Sequence, residues 1–302
     1  MVRLWLCAKG ESSYFRPVIY AVLAAVFYAL NVPCSKMLLQ YVPPVFMAGF
    51  LYIGAGLGVG VMYLFRYKDE NPADRLTKSD LPYTVGMVVL DIAAPILLMF
   101  GVKYGNSSNA SLLGNFEIVA TAVIALTLFR EKVSGRLWAA IAFITASSII
   151  LSFENTDGLS FSLGSVLVLG ATVCWGLENN CTRRISEKST YQIVTIKGLC
   201  SGAGSLALAA ATGEEMTEWR FLPLVLALGV VAYGLSIFTY IRAQKDLGAA
   251  KTSAYYAVAP FIGAFLSFLF LDESLSVQYL VALAVMIAGT WLVVTDTLRN
   301  GK

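Results

Sequence analysis

The chain has 302 residues, of which 58% are hydrophobic and only 14% are charged. A soluble domain is usually about 45–50% apolar and about 25% charged, and a compact soluble fold of this length could not hide so much apolar surface. The composition therefore excludes a disordered chain, a coiled coil and a secreted disulfide scaffold, and it indicates that lipid is part of the solvent.

The absence of histidine removes several classes of enzyme and metal site. Ser-His-Asp triads, His-ligated zinc sites and the HExxH motif all need this residue. The five cysteines form no CxxC pair and are interpreted as small buried hydrophobic residues, so we expect no metal and no cofactor. The formal net charge of +3 is spread between apolar blocks, which argues against nucleic acid as a partner.

Ten apolar segments are each long enough to cross a membrane, since a spanning helix needs about 20 mostly apolar residues. Short polar connections separate them, so the sequence predicts an all-α integral membrane fold with ten transmembrane helices. In chain order the predicted spans cover residues 17–39, 43–65, 81–102, 106–129, 137–153, 161–182, 190–212, 221–241, 249–271 and 276–296.

The distribution of basic residues supports this count and gives an orientation. If the N-terminus is cytoplasmic, the segments predicted to lie inside hold 18 of the 22 lysine and arginine residues. Cytoplasmic loops normally carry such an excess. We therefore predict a multi-pass protein of the cell inner (plasma) membrane with both termini in the cytoplasm.

The chain resembles itself at two places. Residues 28–36 (YALNVPCSK) align with residues 175–183 (WGLENNCTR) at an offset of 147, and residues 129–134 (FREKVS) align with residues 271–276 (LDESLS) at an offset of 142. The second five spans thus repeat the first five, and because five is odd, the two copies are inverted in the membrane. The predicted segments are a cytoplasmic N-terminus at 1–16, a first five-helix repeat at 17–153, an outer linker at 154–160, a second five-helix repeat at 161–297 and a cytoplasmic tail at 298–302.

Inverted repeats are typical of secondary transporters, in which the substrate site lies near the bilayer midplane between the two copies. Two equivalent halves can exchange conformations, and the exchange opens the site to each side in turn. Duplication can also serve only to build a stable bundle. We favour transport, because charged residues within the spans accompany the repeat.

Two matching motifs carry a resemblance to a known family. In the first repeat, residues 114–117 (GNFE) are followed by a loop with residues 131–134 (EKVS). In the second repeat, residues 259–260 (AP) are followed by residues 273–276 (ESLS). With these motifs the chain resembles the EamA-type, ten-helix members of the drug/metabolite transporter superfamily. The resemblance implies membership of a transporter family whose members export amino acids, amines, drugs or nucleotide-related metabolites.

The chain departs from the family pattern of Glu-Pro, or Pro alone, midway along this helix. The first copy has Glu117 followed by Ile118, and the second has Pro260 preceded by alanine. The loop residues Glu131 and Glu273 are predicted to contact helix N-termini or to form gates, since acidic groups suit the positive end of a helix dipole.

Glu117 is the first candidate for the substrate site. A charge at membrane depth costs about 2.5–3.5 kcal/mol on insertion scales, so such groups usually face a cavity or pair with one another. Glu117 shares one small, polar helix face with Ala110, Gly114 and Thr121. We predict that it binds a cationic substrate group, a proton, or both in competition, and Asn115 in the same motif is assigned to the same site. The alternative is a neutral glutamic acid that hydrogen-bonds a neighbouring helix.

The equivalent helices of the two repeats present matching polar and aromatic residues. Asn31 in span one corresponds to Glu178 in span six, and Tyr28 corresponds to Trp175. An aromatic ring one turn from a polar group can hold the apolar body of a ligand and its ammonium. Tyr256 in span nine is assigned to the same lining. The alternatives are aromatic residues at the membrane interface, a polar helix cap, and tyrosine hydroxyls that bond neighbouring helices.

Two further charges lie within the spans. Asp91 is near the middle of span three, four residues before Pro95, and either a functional or a pairing role fits it equally well. Lys197 in span seven is the natural counter-charge for Glu178 or Asp91, and a structural ion pair is the preferred interpretation, since buried charges are usually paired.

Together these features predict a secondary transporter, not an enzyme. We expect it to export a small polar metabolite such as an amino acid or amine by alternating access, with protons as a candidate coupling ion. The absence of a GxxxxGK[ST] motif argues against direct use of ATP. The expected partners are a small-molecule substrate, the lipid bilayer and protons, and the protein is a monomer or a homodimer.

Two other functions are weighed against transport. A lipid-modifying membrane enzyme would gather metal-binding carboxylates, or a nucleophile with its base, near one surface. A channel would show polar stripes that continue through several spans. Here the acidic groups of the spans are single and lie at mid-depth, which fits neither alternative as well as a transporter.

Overall fold

The computed structural model describes residues 2–129, 134–156, 158–247, 252, 255–271, 273 and 276–300. Its regular secondary structure is helical apart from one short hairpin. Glu131, which was predicted to contact a helix N-terminus or to form a gate, lies outside the described residues.

The first helix of the first repeat begins well before the predicted first span. The repeat as a whole ends at the hairpin. Two short 3-10 turns, Pro72–Asp74 and Lys78–Asp80, connect its third and fourth helices. Its helices are α1 (Val2–Ala29), α2 (Asn31–Leu38), α3 (Pro44–Arg66), α4 (Leu81–Tyr104), α5 (Ser107–Leu113), α6 (Phe116–Phe129) and α7 (Gly135–Ser152).

An antiparallel hairpin connects the repeats, where the sequence predicted only a linker. Strands β1 (Phe153–Thr156) and β2 (Gly158–Phe161) pair with Phe153 opposite Phe161. The second repeat then contains α8 (Leu163–Ile185), α9 (Thr190–Ala211), a 3-10 turn (Trp219–Phe221), α10 (Leu222–Leu228), a π-helical segment (Gly229–Leu235), α11 (Ser236–Leu247), α12 (Ala259–Leu271) and α13 (Val277–Asn300).

Within the described residues, seven helical segments are long and apolar enough to cross a membrane. The three other predicted spans are helical as well, but each departs from a long apolar helix. Span four is divided into α5 and α6. Span six lies in α8, which carries Glu178 and, just beyond the predicted span, two arginines. Span nine includes only the 13 residues of α12 as a continuous helix. The protein is thus a helical, multi-pass membrane protein with one short hairpin, and these segments are consistent with ten spans.

The fourth span is broken in the middle, although the sequence pattern predicted a continuous helix. The chain makes a turn at Gly114 and Asn115, where the amide of Gly114 donates to the carbonyl of Ser111 at 3.1 Å and the amide of Asn115 to that of Leu112 at 3.2 Å. These bonds are one residue tighter than α-helical bonds. Glu117 therefore lies in the first turn of α6 rather than in the middle of a continuous helix.

Three further spans are also irregular. Span one is interrupted at Leu30, where Pro33 lacks the amide that would bond the last residue of α1. Span nine turns at Ala257 and Val258, just before α12. Span eight contains the π-helical segment. Broken helices and π-bulges both occur preferentially at functional sites. The four irregular spans are therefore candidates for the walls of a binding site.

The two repeats interlock, because the most extensive helix contacts connect one repeat to the other: α3 with α9, α4 with α8, and α7 with α13. Glycine makes the first of these contacts possible. A β-carbon on Gly198 would overlap the backbone of Gly56, and one on Gly202 would approach the carbonyl of Gly49 at 2.9 Å. Gly198 and Gly202 thus allow α3 and α9 to pack closely.

Candidate functional site

A cavity of about 80 Å³ lies at the centre of the bundle, among helices of both repeats. A single water needs roughly 10–15 Å³ on the same measure, so the cavity has room for several waters or for part of a small ligand. Its walls combine four charged or amide side chains with six aromatic ones. The lining residues are Tyr28, Tyr52, Glu117, Trp175, Glu178, Asn179, Thr182, Lys197, Tyr233, Ser236, Ile237, Tyr240, Ile241 and Tyr256.

Lys197 lies between two carboxylates at the wall of the cavity. Its Nζ atom is 3.0 Å from Oδ2 of Asp91 and 2.9 Å from Oε1 of Glu178. All three side chains are buried. The predicted ion pair of Lys197 is therefore present, and it involves both of the proposed partners rather than one.

Each of these carboxylates has a further hydrogen-bond donor. The hydroxyl of Tyr52 donates to Oδ1 of Asp91 at 2.8 Å, and the hydroxyl of Thr182 donates to Glu178. Hydrogen bonds to an ionised acceptor are stronger than neutral ones, so these donors help to hold the carboxylates in place.

Glu117, in α6 of the first repeat, also lines the cavity. Its Oε1 atom accepts a hydrogen bond of 2.5 Å from Nδ2 of Asn179, which directly follows Glu178 in α8. The broken helix of the first repeat and the polar end of α8 thereby meet at the cavity. A hydrogen bond between helices was the alternative interpretation of Glu117, and the structure shows that such a bond coexists with exposure to the cavity.

The cluster contains more acidic groups than basic ones. Asp91, Glu117 and Glu178 are three carboxyl groups, and within the described residues Lys197 is the one cationic side chain that lines the cavity or pairs with them. A buried charge without a partner is costly, so the surplus carboxyl groups favour a bound cation or bound protons. This imbalance gives the site its chemical preference.

Aromatic rings surround the acidic groups. The ring of Tyr28 is 6.3 Å from that of Trp175, 6.0 Å from that of Tyr233 and 5.9 Å from that of Tyr256, and the ring of Tyr240 is 5.1 Å from that of Tyr256. Tyr28 and Trp175, for which a membrane-interface position was the alternative, line the cavity. Rings in such an arrangement can hold an ammonium group by cation–π attraction.

Three of the predicted binding residues do not line the cavity. Asp91 is fully buried behind Lys197. Asn31 is buried behind Tyr233, to whose hydroxyl it donates a hydrogen bond of 3.1 Å. Asn115 is buried in the turn between α5 and α6. Any contribution of these three residues to binding would be indirect, through the side chains in front of them.

Sequence reasoning assigned neither Tyr52 nor Tyr233 to the site. The repeat could have indicated both. Tyr52 precedes Lys197 by 145 residues, and Asp91 precedes Tyr233 by 142, offsets like those of the other repeated motifs. Tyr52 and Tyr233 both line the cavity. Their rings are 5.0 Å apart.

Residues of the second repeat also contact the start of α5 in the first repeat. A carboxylate oxygen of Glu273 accepts from the amide of Ser107 at 2.8 Å, and the other accepts from the amide of Ser108 at 2.9 Å and from its hydroxyl. The hydroxyl oxygens of Ser107 and Ser267 are 3.0 Å apart. The predicted contact of Glu273 with a helix N-terminus is confirmed, whereas its counterpart Glu131 lies outside the described residues.

The cavity lining includes Thr182 near the end of α8, and Tyr240 and Ile241 in the middle of α11. Both helices end on the side that the charge pattern predicts to be cytoplasmic. The described residues contain no group of three or more histidine, cysteine, aspartate or glutamate side chains that could hold a metal ion. The chemistry of the site therefore consists of carboxyl groups, one lysine and aromatic rings.

Comparisons with known proteins agree with this architecture. The sequence profile of the EamA-like transporter family matches residues 15–153 and 162–295. An uncharacterized transporter of Methanothermobacter thermautotrophicus is 23% identical over 305 residues, with 93% of this chain and 88% of that protein covered. The threonine/homoserine exporter RhtA of Escherichia coli is 26% identical over 175 residues, with 58% of this chain and 59% of that protein covered. A crystal structure of another protein superposes with a TM-score of 0.69 at 16% identity, covering 94% of this chain and 97% of that one, which shows a shared fold.

Proposed function

Because the chain belongs to the EamA-like transporter family, we propose that it exports a small metabolite with an ammonium group, an amino acid or an amine, by alternating access. Glu117 holds the ammonium or a proton, and the two compete. The protein resides in the plasma membrane with both termini in the cytoplasm.

The surplus of carboxyl groups at the cavity is the observation that carries this proposal. Lys197 neutralises one of three carboxyl groups, so a single positive charge brought by the substrate or by a proton improves the balance. The aromatic rings around Glu117 supply apolar surface for the rest of the substrate and cation–π attraction for its ammonium. The similarity to RhtA, which is named as an exporter of threonine and homoserine, supports substrates of this size.

Competition between a proton and a substrate at one carboxyl group is sufficient for exchange. A protonated Glu117 cannot hold an ammonium, and an ammonium at Glu117 excludes the proton. If the occupied forms change conformation and the empty form does not, substrate leaves the cell as protons enter. Two inverted repeats with broken helices at the cavity supply the conformational change.

Transport by purified protein in proteoliposomes tests the proposal. Radiolabelled threonine, homoserine and butylamine are offered with and without an imposed pH gradient. We expect the wild-type protein to transport at least one of them and to respond to the gradient. The Glu117→Gln variant should lose the response to the gradient and most of the transport, since an amide neither titrates nor pairs with an ammonium.

Glu215→Gln is the matched control, because Glu215 is exposed in the connection after α9 and far from the cavity. It should behave like the wild-type protein. Normal transport by Glu117→Gln with an unchanged pH dependence would disprove the role of Glu117. Transport of none of the three compounds would disprove the proposed substrate class.

A further inference from the structure

The two carboxylates that pair with Lys197 differ in their access to the cavity. Glu178 lines the cavity together with Lys197, whereas Asp91 lies behind the wall and does not line it. Asp91 is completely buried and also accepts the hydroxyl of Tyr52. One partner of the lysine is therefore open to a ligand, and the other is not.

This placement has a consequence for a bound cation. The distance from Nζ to Glu178, 2.9 Å, is that of a direct hydrogen bond, so the lysine ammonium occupies a position on this carboxylate that a ligand ammonium would need. If Lys197 gives up Glu178, it keeps its contact with Asp91 at 3.0 Å and remains paired. The exchange leaves no buried charge without a partner, which is the condition under which such an exchange is inexpensive.

We propose that Lys197 is an internal competitor of the substrate: its ammonium occupies Glu178 in the empty carrier, and the ammonium of the substrate displaces it onto Asp91. Glu178 is then a second ammonium-binding group beside Glu117, and Asp91 is a positioning residue that acts through Lys197. This inference rests on the proposed function, since it assumes a substrate with an ammonium group.

The charge count agrees with the exchange. With Lys197 paired to Asp91 alone, these two groups are neutral together, and Glu178 offers one full negative charge to the cavity. A monovalent ammonium compensates that charge. Thr182 stays in place as a hydrogen-bond donor to Glu178 during the exchange, because it belongs to the same helix.

Two variants separate this mechanism from a purely structural ion pair. In Asp91→Asn, the lysine loses its second partner and is held on Glu178, so binding of an ammonium should weaken about tenfold, as expected for one charged hydrogen bond. In the double variant Lys197→Met/Asp91→Asn, the competitor is gone, so binding should strengthen about tenfold relative to the wild-type protein. The two proteins differ only at residue 197, yet the expected changes have opposite signs.

The measurement is calorimetric titration of the full chain in lipid nanodiscs with butylammonium chloride. Lys78→Met/Asp69→Asn serves as the control, because it makes the same change of charge at two exposed residues between α3 and α4. Unchanged affinity in both test variants, or a change of the same sign in both, would overturn the displacement of Lys197 and leave the proposed function standing. Binding by none of the proteins would overturn the proposed function and this inference together.

A second measurement does not depend on the folding of the Asp91 variants. The infrared difference spectrum of the wild-type protein with and without butylammonium should contain a carboxylate band that is absent in Glu178→Gln. That variant leaves the pair of Lys197 and Asp91 intact. An identical difference spectrum in the wild-type protein and in Glu178→Gln would show that the ammonium does not reach Glu178 and would overturn the inference.

Discussion

The first and second repeats place different chemical groups on equivalent positions of span one and span six. In the first repeat, Asn31 accepts a hydrogen bond of 3.1 Å from the hydroxyl of Ser35. In the second, Glu178 accepts one from the hydroxyl of Thr182. Both donors lie four residues after the acceptor, and both pairs are related by the offset of 147. The local geometry is thus repeated, whereas the charge is present in the second copy only.

The partners of these residues differ in the same way. Asn31 donates to Tyr233, a neutral group, whereas Glu178 pairs with Lys197. The duplicated backbone supplies two equivalent halves, and the substitutions between the copies place an ion pair at Glu178 where Asn31 has only neutral partners. From this difference we infer that movement depends on what the repeats share and binding on what they do not.

The largest expected effect comes from breaking the contact that joins the repeats. A methyl group in Gly198→Ala would overlap the backbone of Gly56, so α3 and α9 would have to separate. Overpacking of this kind costs about 3 kcal/mol when backbone has to shift. We expect the variant to fold poorly or to melt far below the wild-type protein in thermal unfolding.

Gly60→Ala is the matched control for this contact. Gly60 also lies in α3 and faces α9, but a β-carbon there would meet the methyl group of Thr195 at 3.4 Å, an ordinary contact. The control should melt near the wild-type temperature. Equal stability of Gly198→Ala and the wild-type protein would show that the repeats are less tightly joined than the structure indicates.

The sequence predicted the helical membrane fold and the repeat because both depend on patterns along the chain. Apolar segments of about 20 residues indicate spans wherever they occur. The pairing of Lys197 was also predictable, since a lysine at membrane depth needs a counter-charge and few acidic residues were available. These inferences need no knowledge of which helices are neighbours.

The break in span four and the contact of Tyr52 with Asp91 were not predictable in this way. Nothing in the sequence of span four demands a break at Gly114 and Asn115, because no proline is present there and glycine is common within membrane helices. The contact of Tyr52 with Asp91 depends on how α3 packs against α4, which is a property of the assembled bundle. A tyrosine in an apolar span gives no signal of its own, since its hydroxyl can bond any neighbouring helix.

A smaller effect is expected from the contact of Glu273, in the second repeat, with the start of α5 in the first repeat. Glu273→Ala removes the acceptor for the amides of Ser107 and Ser108 and for one hydroxyl. Loss of such a helix-terminal acceptor costs about 2 kcal/mol. We expect a lower free energy of unfolding in thermal or denaturant titrations of the protein in detergent.

Glu214→Ala provides the comparison for Glu273, because Glu214 accepts from the amides of Val45 and Phe46 at the start of α3. One of these bonds is long, at 3.3 Å, and no hydroxyl contributes, so the loss should be about 1 kcal/mol. A greater loss for Glu214 than for Glu273 would contradict the idea that Glu273 holds the start of α5 in place.

The smallest effects address the comparison of the repeats directly. Thr182→Val and Ser35→Ala each remove a hydroxyl that donates a hydrogen bond to an acceptor one helical turn earlier. The acceptor is a carboxylate in the second repeat and an amide in the first, and a hydrogen bond to a charged group is worth about 1.5 kcal/mol against about 1 kcal/mol for a neutral one. We therefore expect Thr182→Val to lower the free energy of unfolding by the larger amount. If the two variants lose the same stability, Glu178 is neutral in the folded protein, and the difference in charge that separates the two repeats disappears.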